Sequence, residues 1–234
     1  GHLVGVVKRA TLNNADQMAL LDIRVGDWVY VEKGGEIIPK ITGIDPVHRT
    51  EGAQRPVFPE TCPDCGTPLV KPEAEAKWFC PNQEGCPMQI KGRLLHFVSR
   101  KAMDILAGEM TVDQFYTTGL ARTPADLYDI NKYQLLSLEG WQDRSAQRFL
   151  DSLEASRQVP FERVLFALGI RYVGETTAKG VARHFGSIDA LAAATQEQLL
   201  EVGDVGEVIA RSIYDFLHDP AQLDQIARLK AAGL

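Results

Sequence analysis

Four cysteines, the only ones in the sequence, are the residues whose type and spacing most clearly indicate chemistry. Cys62 and Cys65 form a Cys-x2-Cys pair, fourteen residues follow, and Cys80 and Cys86 form a Cys-x5-Cys pair. Zinc accepts four thiolates in tetrahedral geometry, and a complete set of four leaves no coordination position for water. The spacing therefore predicts a Zn²⁺ site that is structural and not catalytic.

The same thiols have two other uses. Disulfide bonds are disfavoured, because four cysteines within 25 residues of a cytosolic chain are typical of metal ligands. An iron–sulfur cluster stays an alternative, since four cysteines also bind such clusters. Residues 59–89 are too few to bury a sufficient core, so we expect bound metal to fold this segment.

The whole chain has the composition of an ordinary globular protein. It contains 234 residues, of which 45% are apolar and 24% charged, and its net charge is −6. This charge argues against extensive electrostatic wrapping of nucleic acid, so any DNA contact must use local patches and backbone donors. No run approaches the roughly 20 apolar residues of a membrane helix and no secretory signal is evident, so we expect a cytoplasmic monomer.

Residues 1–58 have the pattern of a small β-domain. Apolar alternation predicts three strands, at residues 3–7, 27–32 and 36–41. The paired glycines at residues 34–35 predict a tight turn between the second and third strands. Residues 14–21 have the apolar spacing of a short helix capped by Asn14 or Asn13. Three prolines among polar residues predict an extended linker over residues 46–60.

The sequence after residue 90 is helical, and one unit recurs in it. Each unit has the end of one helix, a turn that contains glycine, and a second helix with a small alanine near its start. Gly203 and Gly206 hold both glycine positions of the clearest turn, whereas Gly140 and Gly174 hold one position each in two others. In those two, the other glycine could stand at the positions of Gln142 and Tyr172.

Such a turn places backbone N–H groups and a helix N-terminus around a concavity that suits an anion. Glycine lets the backbone approach a phosphate oxygen closely, and this contact carries no base information. Three such turns favour an array that binds a DNA backbone, although an ordinary helix C-cap is the alternative for any single turn. Side chains near the turns that could reach phosphates are Ser145, Arg148, Arg171, Thr176, Lys179 and Arg211.

Lys91 and Arg93 give the helix that follows the cysteines one basic side. An amphipathic surface helix has the same pattern without any nucleic-acid contact. Because this helix lies between a metal module and the repeated turns, we count both residues as candidates for binding a DNA backbone.

Three segments, at residues 9–16, 26–39 and 161–176, carry a family resemblance together with the cysteine spacing. They resemble the C-terminal half of bacterial NAD-dependent DNA ligases. The resemblance implies a multidomain fold in three parts. These are a small OB-type β-barrel with a linker and a missing first strand at residues 1–58, a four-cysteine zinc finger at 59–89, and an all-α helix-hairpin-helix domain of about four hairpins at 90–234.

The resemblance implies the DNA-binding part of an enzyme that seals nicks in duplex DNA during replication and repair, in the bacterial cytoplasm at the nucleoid. Its cofactors would be structural Zn²⁺, and NAD⁺ and Mg²⁺ bound mainly outside this chain. Its partners would be nicked double-stranded DNA and the adenylation domain of the same polypeptide. The family's Lys-x-Asp-Gly motif is absent from these residues, so we expect the chain alone to be inactive. The DNA-contact candidates in the OB-fold domain are Arg9, Thr11 and Lys33.

Two positions depart from the family's pattern. Asn13 stands where the family commonly has histidine, and the first hairpin, at residues 103–110, is one residue short and lacks the Gly-x-Gly form.

Two other functions stay open at this point. A repair nuclease would need clustered carboxylates, of which Glu73-x-Glu75 is the one example, and a protein-interaction scaffold would need no DNA contact.

Overall fold

The computed structural model describes residues 6–33, 38–73 and 75–234. The chain divides into two compact units, Gly1–Cys86 and Pro87–Leu234. The predicted strand at residues 3–7 and the predicted turn at Gly34-Gly35 fall mostly or wholly outside the described residues. Within the described part, no helix is long and apolar enough to cross a membrane.

The first unit begins with a short helix, α1 (Ala15–Leu21). Its N-cap is Asn14, whose side chain accepts a hydrogen bond from the backbone N–H of Gln17 at 2.9 Å. This interaction satisfies one of the free donors that every helix start leaves unpaired. The predicted helix and its cap are both confirmed, and of the two candidate caps Asn14 is the one used.

A two-stranded antiparallel sheet follows in the described part of this unit, formed by β1 (Trp28–Glu32) and β2 (Lys40–Asp45). Trp28 lies opposite Asp45 and Glu32 opposite Lys40, with a bulge after Tyr30. The strand predicted over residues 36–41 corresponds to β2, and its predicted end at residue 41 is wrong by four residues. The strand continues because Tyr30 lies over Gly43, so that the ring covers a glycine that would otherwise weaken the strand.

The predicted extended linker is wrong for its first part. Pro46–His48 form a turn of 3-10 helix, and Arg49 then returns to the carboxylate of Asp27 with bonds of 3.0 and 2.9 Å. The Asp27 side chain is only 1% exposed, so it requires a cationic partner. Hydrogen bonds from Arg49 hold the pKa of Asp27 below its usual range. The chain therefore stays packed on the first unit at least to Gln54, whose carbonyl accepts the N–H of Val25.

The second unit is all helical. Its helices are α2 (Pro87–Val98), α3 (Glu109–Thr117), α4 (Lys132–Leu136), α5 (Asp143–Ser156), α6 (Phe161–Ala167), α7 (Glu175–Phe185), α8 (Ile188–Ala192), α9 (Gln196–Leu200), α10 (Glu207–Leu217) and α11 (Pro220–Ala231). Helices α2 and α3, α4 and α5, α6 and α7, and α9 and α10 contact each other as consecutive pairs. The array therefore consists of four helix-hairpin-helix units, and the connectors between them include a 3-10 helix at Pro124–Asp129 and the short helix α8.

Two hydrophobic cores stabilise these pairs. The first contains Phe97, Phe115 and Phe149, and the rings of Phe115 and Phe149 meet edge to face at 5.5 Å. The second is built from the apolar faces of α6 to α10. Arg163 of α6 joins the two halves, because its guanidinium donates to the carbonyls of Ala102 at 2.9 Å and Arg100 at 3.0 Å.

Helix α11 returns to the first half of the second unit. Its Arg228 lies 2.9 Å from a carboxylate oxygen of Asp126 and 3.0 Å from one of Asp129. Burial alone would raise the pKa of Asp126, but the N–H of Arg122 and the guanidinium of Arg228 outweigh it and lower that pKa. The C-terminal helix is thus held by charge as well as by apolar packing.

We expect Arg228→Met to lower the free energy of unfolding by about 1 kcal/mol at neutral pH. The pKa of Asp126 is lowered in the folded state, so its contribution is present above the unfolded value of about 4 and is lost as the pH falls through the folded value. Urea unfolding across this pH range should show the difference shrinking toward zero. Arg183→Met, at an exposed arginine 3.9 Å from Glu162, is the control. A pH-independent loss would contradict the role of Asp126.

Candidate metal centre and candidate nucleic-acid interface

The sulfur atoms of the four cysteines converge in the first unit. All four lie within 4.8 Å of one another. The Sγ atoms of Cys62 and Cys86 are 3.9 Å apart, and those of Cys65 and Cys80 are 3.5 Å apart. Zn–S bonds of about 2.3 Å in a tetrahedron place sulfurs about 3.8 Å apart, whereas a disulfide needs about 2.0 Å. The donor set therefore fits a zinc ion and not a pair of disulfides.

The backbone positions the first pair through a knuckle. The N–H of Gly66 donates to the carbonyl of Cys62 at 2.8 Å, and the N–H of Cys62 donates to the carbonyl of Thr67 at 2.8 Å. Gly66 has a φ of 75°, the left-handed conformation that glycine adopts without strain. The turn consequently points the sulfurs of Cys62 and Cys65 to the same side.

A second short pairing positions the other two ligands. Val70 and Phe79 exchange backbone hydrogen bonds of 2.9 Å, which brings Cys80 up to the knuckle. Cys86 donates its N–H to the carbonyl of Asn82 at 3.0 Å and is 1% exposed. Since Cys86 directly precedes α2, the last ligand is also the last residue before the helical unit.

The electrostatics of the thiols favour a cation among them. Hydrogen bonds from the hydroxyl and the N–H of Thr67 lower the pKa of Cys65 to about 6. Burial raises the pKa of Cys80 to about 11, because its thiolate would lie unsolvated beside other sulfurs. A zinc ion at the centre of the four sulfurs would deprotonate its ligand thiols and compensate their charge.

The second candidate site is formed by the hairpin turns. Gly174 and Gly206 are the N-caps of α7 and α10, and neither supplies a side-chain cap. Five other helices are capped by a side chain, from Asn14, Asn131, Ser187, Thr195 and Asp219. The first N–H groups of α7 and α10 are therefore left for an external acceptor such as an anion.

The positions of the glycines correct one interpretation of the sequence. The left-handed backbone falls on Gly140, Tyr172 and Asp204, which recur every 32 residues, and not on Gly203. Tyr172 therefore does not stand where the second glycine belongs, since Arg171 holds the position of Gly203. By the same register Gly140 corresponds to Asp204 and holds neither glycine position of the clearest turn. The equal spacing of the three turns is a sequence signal for this register. It is hard to recognise because three different residue types occupy the left-handed position.

Among the described residues, neither backbone conformation nor packing explains five glycines: Gly92, Gly108, Gly174, Gly203 and Gly206, of which the last three lie in the third and fourth hairpins. A side chain at Gly174, Gly203 or Gly206 would meet no atom within 4 Å, and none of the three has a positive φ. These glycines keep the outer surface of two turns bare. A bare backbone at a helix start is what close approach by a phosphate requires.

Two basic side chains occupy equivalent positions beside these turns. Lys179 and Arg211 are each the fifth residue of α7 and α10, respectively, and both are exposed. The corresponding residue is Gln147 in α5 and Asp113 in α3. Arg148 and Thr176 are also exposed, near the starts of α5 and α7. The third and fourth hairpins therefore combine free N–H groups with a cation.

The first hairpin differs from the others. Three residues separate its left-handed residue, Asp104, from the N-cap Gly108, whereas one residue does so in each of the other turns. Its turn is therefore longer than theirs. The sequence-based prediction that this hairpin is one residue short is wrong. Asp113 takes the place of the cation and forms an ion pair of 2.8 Å with Lys91.

Several predicted contact residues already have partners within the protein. Lys91 pairs with Asp113, and Arg93 also has an interaction within the chain. The hydroxyl of Ser145 accepts the N–H of Gln142 at 3.0 Å and so caps α5. The further cases are Thr11, whose hydroxyl accepts the N–H of Asn13, and Arg171, whose guanidinium lies 5.0 Å from the ring of Tyr172. Arg9 and Lys33 are exposed on the first unit. Their roles in DNA binding stay predictions.

The fold and the two sites together define a protein with a four-cysteine metal centre and helix-hairpin-helix repeats. Family profiles match three parts of the chain. An NAD-dependent DNA ligase OB-fold domain matches residues 3–53, an NAD-dependent DNA ligase C4 zinc finger domain matches 61–87, and a helix-hairpin-helix motif matches 163–226. The predicted fold class is thereby confirmed, and the C4 profile together with the converging sulfurs supports a structural Zn²⁺.

Curated relatives agree over almost the entire chain. A DNA ligase of Parabacteroides distasonis is 53% identical over 98% of this chain, one of Porphyromonas gingivalis is 49% identical over 98%, and one of Christiangramia forsetii is 48% identical over 98%. The chain spans about a third of the length of these relatives, 34–35%. The chain belongs to the NAD-dependent DNA ligase family.

We expect Cys86→Ser to abolish zinc binding and to unfold the region around the four cysteines, because three thiolates cannot close the coordination shell. Metal analysis of purified protein should fall from one zinc per chain to none, while the thermal transition of the helical unit persists. Thr67→Val should weaken zinc affinity about tenfold through loss of its bond to Cys65.

The control for this series is Thr61→Val, at an exposed threonine next to Cys62. It makes the same chemical change without removing a bond to sulfur, and zinc affinity should not change. Full metal content in Cys86→Ser, or iron in place of zinc, would contradict the assignment.

Proposed function

We propose that this chain is the DNA-binding part of a ligase that seals nicks in duplex DNA during replication and repair. The observation that carries the proposal is the pair of equivalent hairpin turns at Gly174 and Gly206. Each has a bare glycine at the N-cap, an uncapped helix start, and a cation at the fifth helical position. These features suit two phosphate groups bound through backbone N–H groups.

Binding through phosphates would be independent of base sequence, as a nick-sealing enzyme requires. Helices α7 and α10 begin with Glu175 and Glu207, which stabilise the positive helix end when no anion is bound. Glu175 lies 3.5 Å from Lys101, so its charge is partly compensated. A phosphate at the turn would take over the interaction with the helix dipole.

The first hairpin does not fit this function, since Asp113 would repel a phosphate where Lys179 and Arg211 would attract one. The second hairpin is intermediate: its N-cap is Gln142, and its second helix has exposed cations at Arg144 and Arg148. We therefore assign the strongest phosphate contacts to the third and fourth hairpins.

The remaining parts complete the proposal. The domains are an OB-fold domain at residues 1–58, a zinc finger at 59–89 and a helix-hairpin-helix domain at 90–234, acting as a monomer on nicked DNA in the bacterial cytoplasm. Arg9 and Lys33 of the first domain are exposed cations available to the duplex. The rest of the polypeptide would supply the adenylation domain and the residues that hold NAD⁺ and Mg²⁺.

Neither alternative function has an observation in its favour. Among the residues that the structure describes, the four cysteines are the only group of three or more ligand-type side chains that converges. A repair nuclease therefore gains no support from the carboxylates at Glu73 and Glu75. A scaffold without DNA contact would leave the bare glycines of the two turns unexplained.

We expect Gly203→Ala and Gly206→Ala to weaken binding to a nicked duplex about tenfold each, because a methyl group would hinder a charge-assisted hydrogen bond. Neither position has a positive φ or a close neighbour, so the stability change should stay below about 1 kcal/mol. Fluorescence anisotropy with labelled duplex and urea unfolding give the two readouts.

Gly108→Ala is the matched control, since Gly108 caps α3 with the same extended conformation but belongs to the hairpin with Asp113. Its duplex affinity should equal that of the parent chain. Equal losses in all three variants, or none in any, would count against phosphate binding at the bare turns.

Lys179→Ala and Arg211→Ala should each reduce the salt dependence of duplex binding. Loss of one phosphate contact lowers the slope of log K against log salt by about 0.9 in magnitude. Arg183→Ala, at an exposed arginine near the C-terminal end of α7, should leave the slope unchanged. Identical slopes in all three variants would remove these cations from the interface.

A further inference from the structure

One face of the two-stranded sheet is aromatic, and the function proposed above does not use it. Trp28 is 64% exposed and Tyr30 is 59% exposed, and both lie on the same face because they are two residues apart on β1. Lys40 lies opposite Glu32 and so shares this face, and His48 adjoins Trp28. We call Trp28, Tyr30, Lys40 and His48 the aromatic face.

The Trp28 end of this face is held in place by bonds within the first unit. The rings of Trp28 and His48 lie 4.8 Å apart at an angle of 30°. His48 is positioned by Asp45, whose carboxylate oxygen lies 2.8 Å from Nδ1 of the ring. The same carboxylate accepts the N–H of Val47 at 3.1 Å, which fixes Asp45 in turn. The two rings therefore form a supported platform.

Tyr30 is positioned by a glycine on the neighbouring strand. It lies opposite Gly43, and a Cβ at that position would be 3.3 Å from the Tyr30 ring. The ring thus rests against the backbone of β2 with one side, while most of its surface stays open to solvent. About 7 Å separates consecutive same-face residues on a strand, a distance that two unstacked bases can bridge along a flexible strand.

Charge identifies the kind of ligand. Three arginines of this unit, at positions 24, 49 and 55, form ion pairs with Asp22 or Asp27. Lys40 and Lys33, at the end of the sheet away from Trp28, are exposed and have no acid within 4 Å among the described residues. Two acids lie on this face. Asp45 is bonded to His48, so Glu32 is the one whose negative charge is not paired with His48. Exposed aromatic rings next to exposed lysines suit single-stranded nucleic acid, whose bases can stack on the rings while its phosphates contact the lysines.

We propose that the aromatic face binds single-stranded DNA, with Trp28 and Tyr30 stacking on successive unpaired bases and Lys40 and Lys33 contacting their phosphates. This activity goes beyond duplex binding by the hairpins, because it lies in the other unit and has a different ligand. Lys33 is the residue that it shares with the duplex contacts proposed above. A protein that encounters frayed ends, gaps or flaps would hold them by this face. Stacking tolerates any base, so the binding is independent of sequence.

The test uses the full 234-residue chain and a labelled dT oligonucleotide of about 12 nucleotides, within the range of OB-fold sites. Trp28→Ala and Tyr30→Ala should each weaken binding about tenfold, and Trp28→Phe should restore most of the affinity because it keeps a stacking ring. Lys40→Ala should lower the magnitude of the salt slope by about 0.7, the value for one phosphate of a single strand.

Tyr133→Ala is the matched control, because Tyr133 is an 87% exposed tyrosine on α4, outside the first unit. It should bind the oligonucleotide as the parent chain does. Gly206→Ala should weaken duplex binding and leave oligonucleotide binding intact, so the two functions can fail separately. Thermal unfolding of each variant checks the fold.

Two results would overturn the proposal. One is oligonucleotide binding that Trp28→Ala and Tyr30→Ala leave unchanged. The other is self-association of the parent chain in sedimentation that Trp28→Ala abolishes without any change in oligonucleotide affinity, which would make the aromatic face a contact between protein copies.

Discussion

The second, third and fourth hairpins depend on one steric constraint, a small residue buried where the second helix leaves the turn. Ala146, Ala178 and Ala210 each lie four residues after the N-cap, are at most 2% exposed, and donate their N–H to the cap carbonyl. A larger side chain there would push the two helices apart and expose the apolar turn residues Val173 and Val205. Because packing fixes the turns from inside, their outer N–H groups are already oriented before any anion arrives, and binding costs little ordering entropy.

The two units are stabilised in different ways. The helical unit buries two apolar cores, which bring distant parts of the sequence together without any ligand. The segment around the cysteines has short backbone pairings and little apolar surface, so the coordination bonds replace a core. The last ligand, Cys86, immediately precedes α2 in the sequence.

The net charge of −6 conceals how this chain can bind a polyanion. Arg49, Arg228 and Lys91 are paired with carboxylates of the protein itself. Lys179 and Arg211 are exposed at equivalent positions beside bare turns, and backbone N–H groups add attraction without adding net charge. The local arrangement of cations and backbone N–H groups therefore matters more for anion binding than the net charge does. The sequence gives the net charge but not this arrangement.

The sequence by itself determined the elements whose chemistry is local. Cysteine spacing was sufficient for the metal site, because two short turns suffice to bring each pair of sulfurs together, and the Asn14 cap and the helical texture after residue 90 also follow from nearby residues. Tertiary structure alone decided the rest. Arg49 belongs to the first unit and not to a linker because a carboxylate 22 positions away is buried beneath it. The ion pair of Asp113 in the first hairpin and the exposure of Trp28 and Tyr30 likewise depend on contacts between residues far apart in the chain, whereas the left-handed position of the other three turns had a sequence signal in their 32-residue spacing.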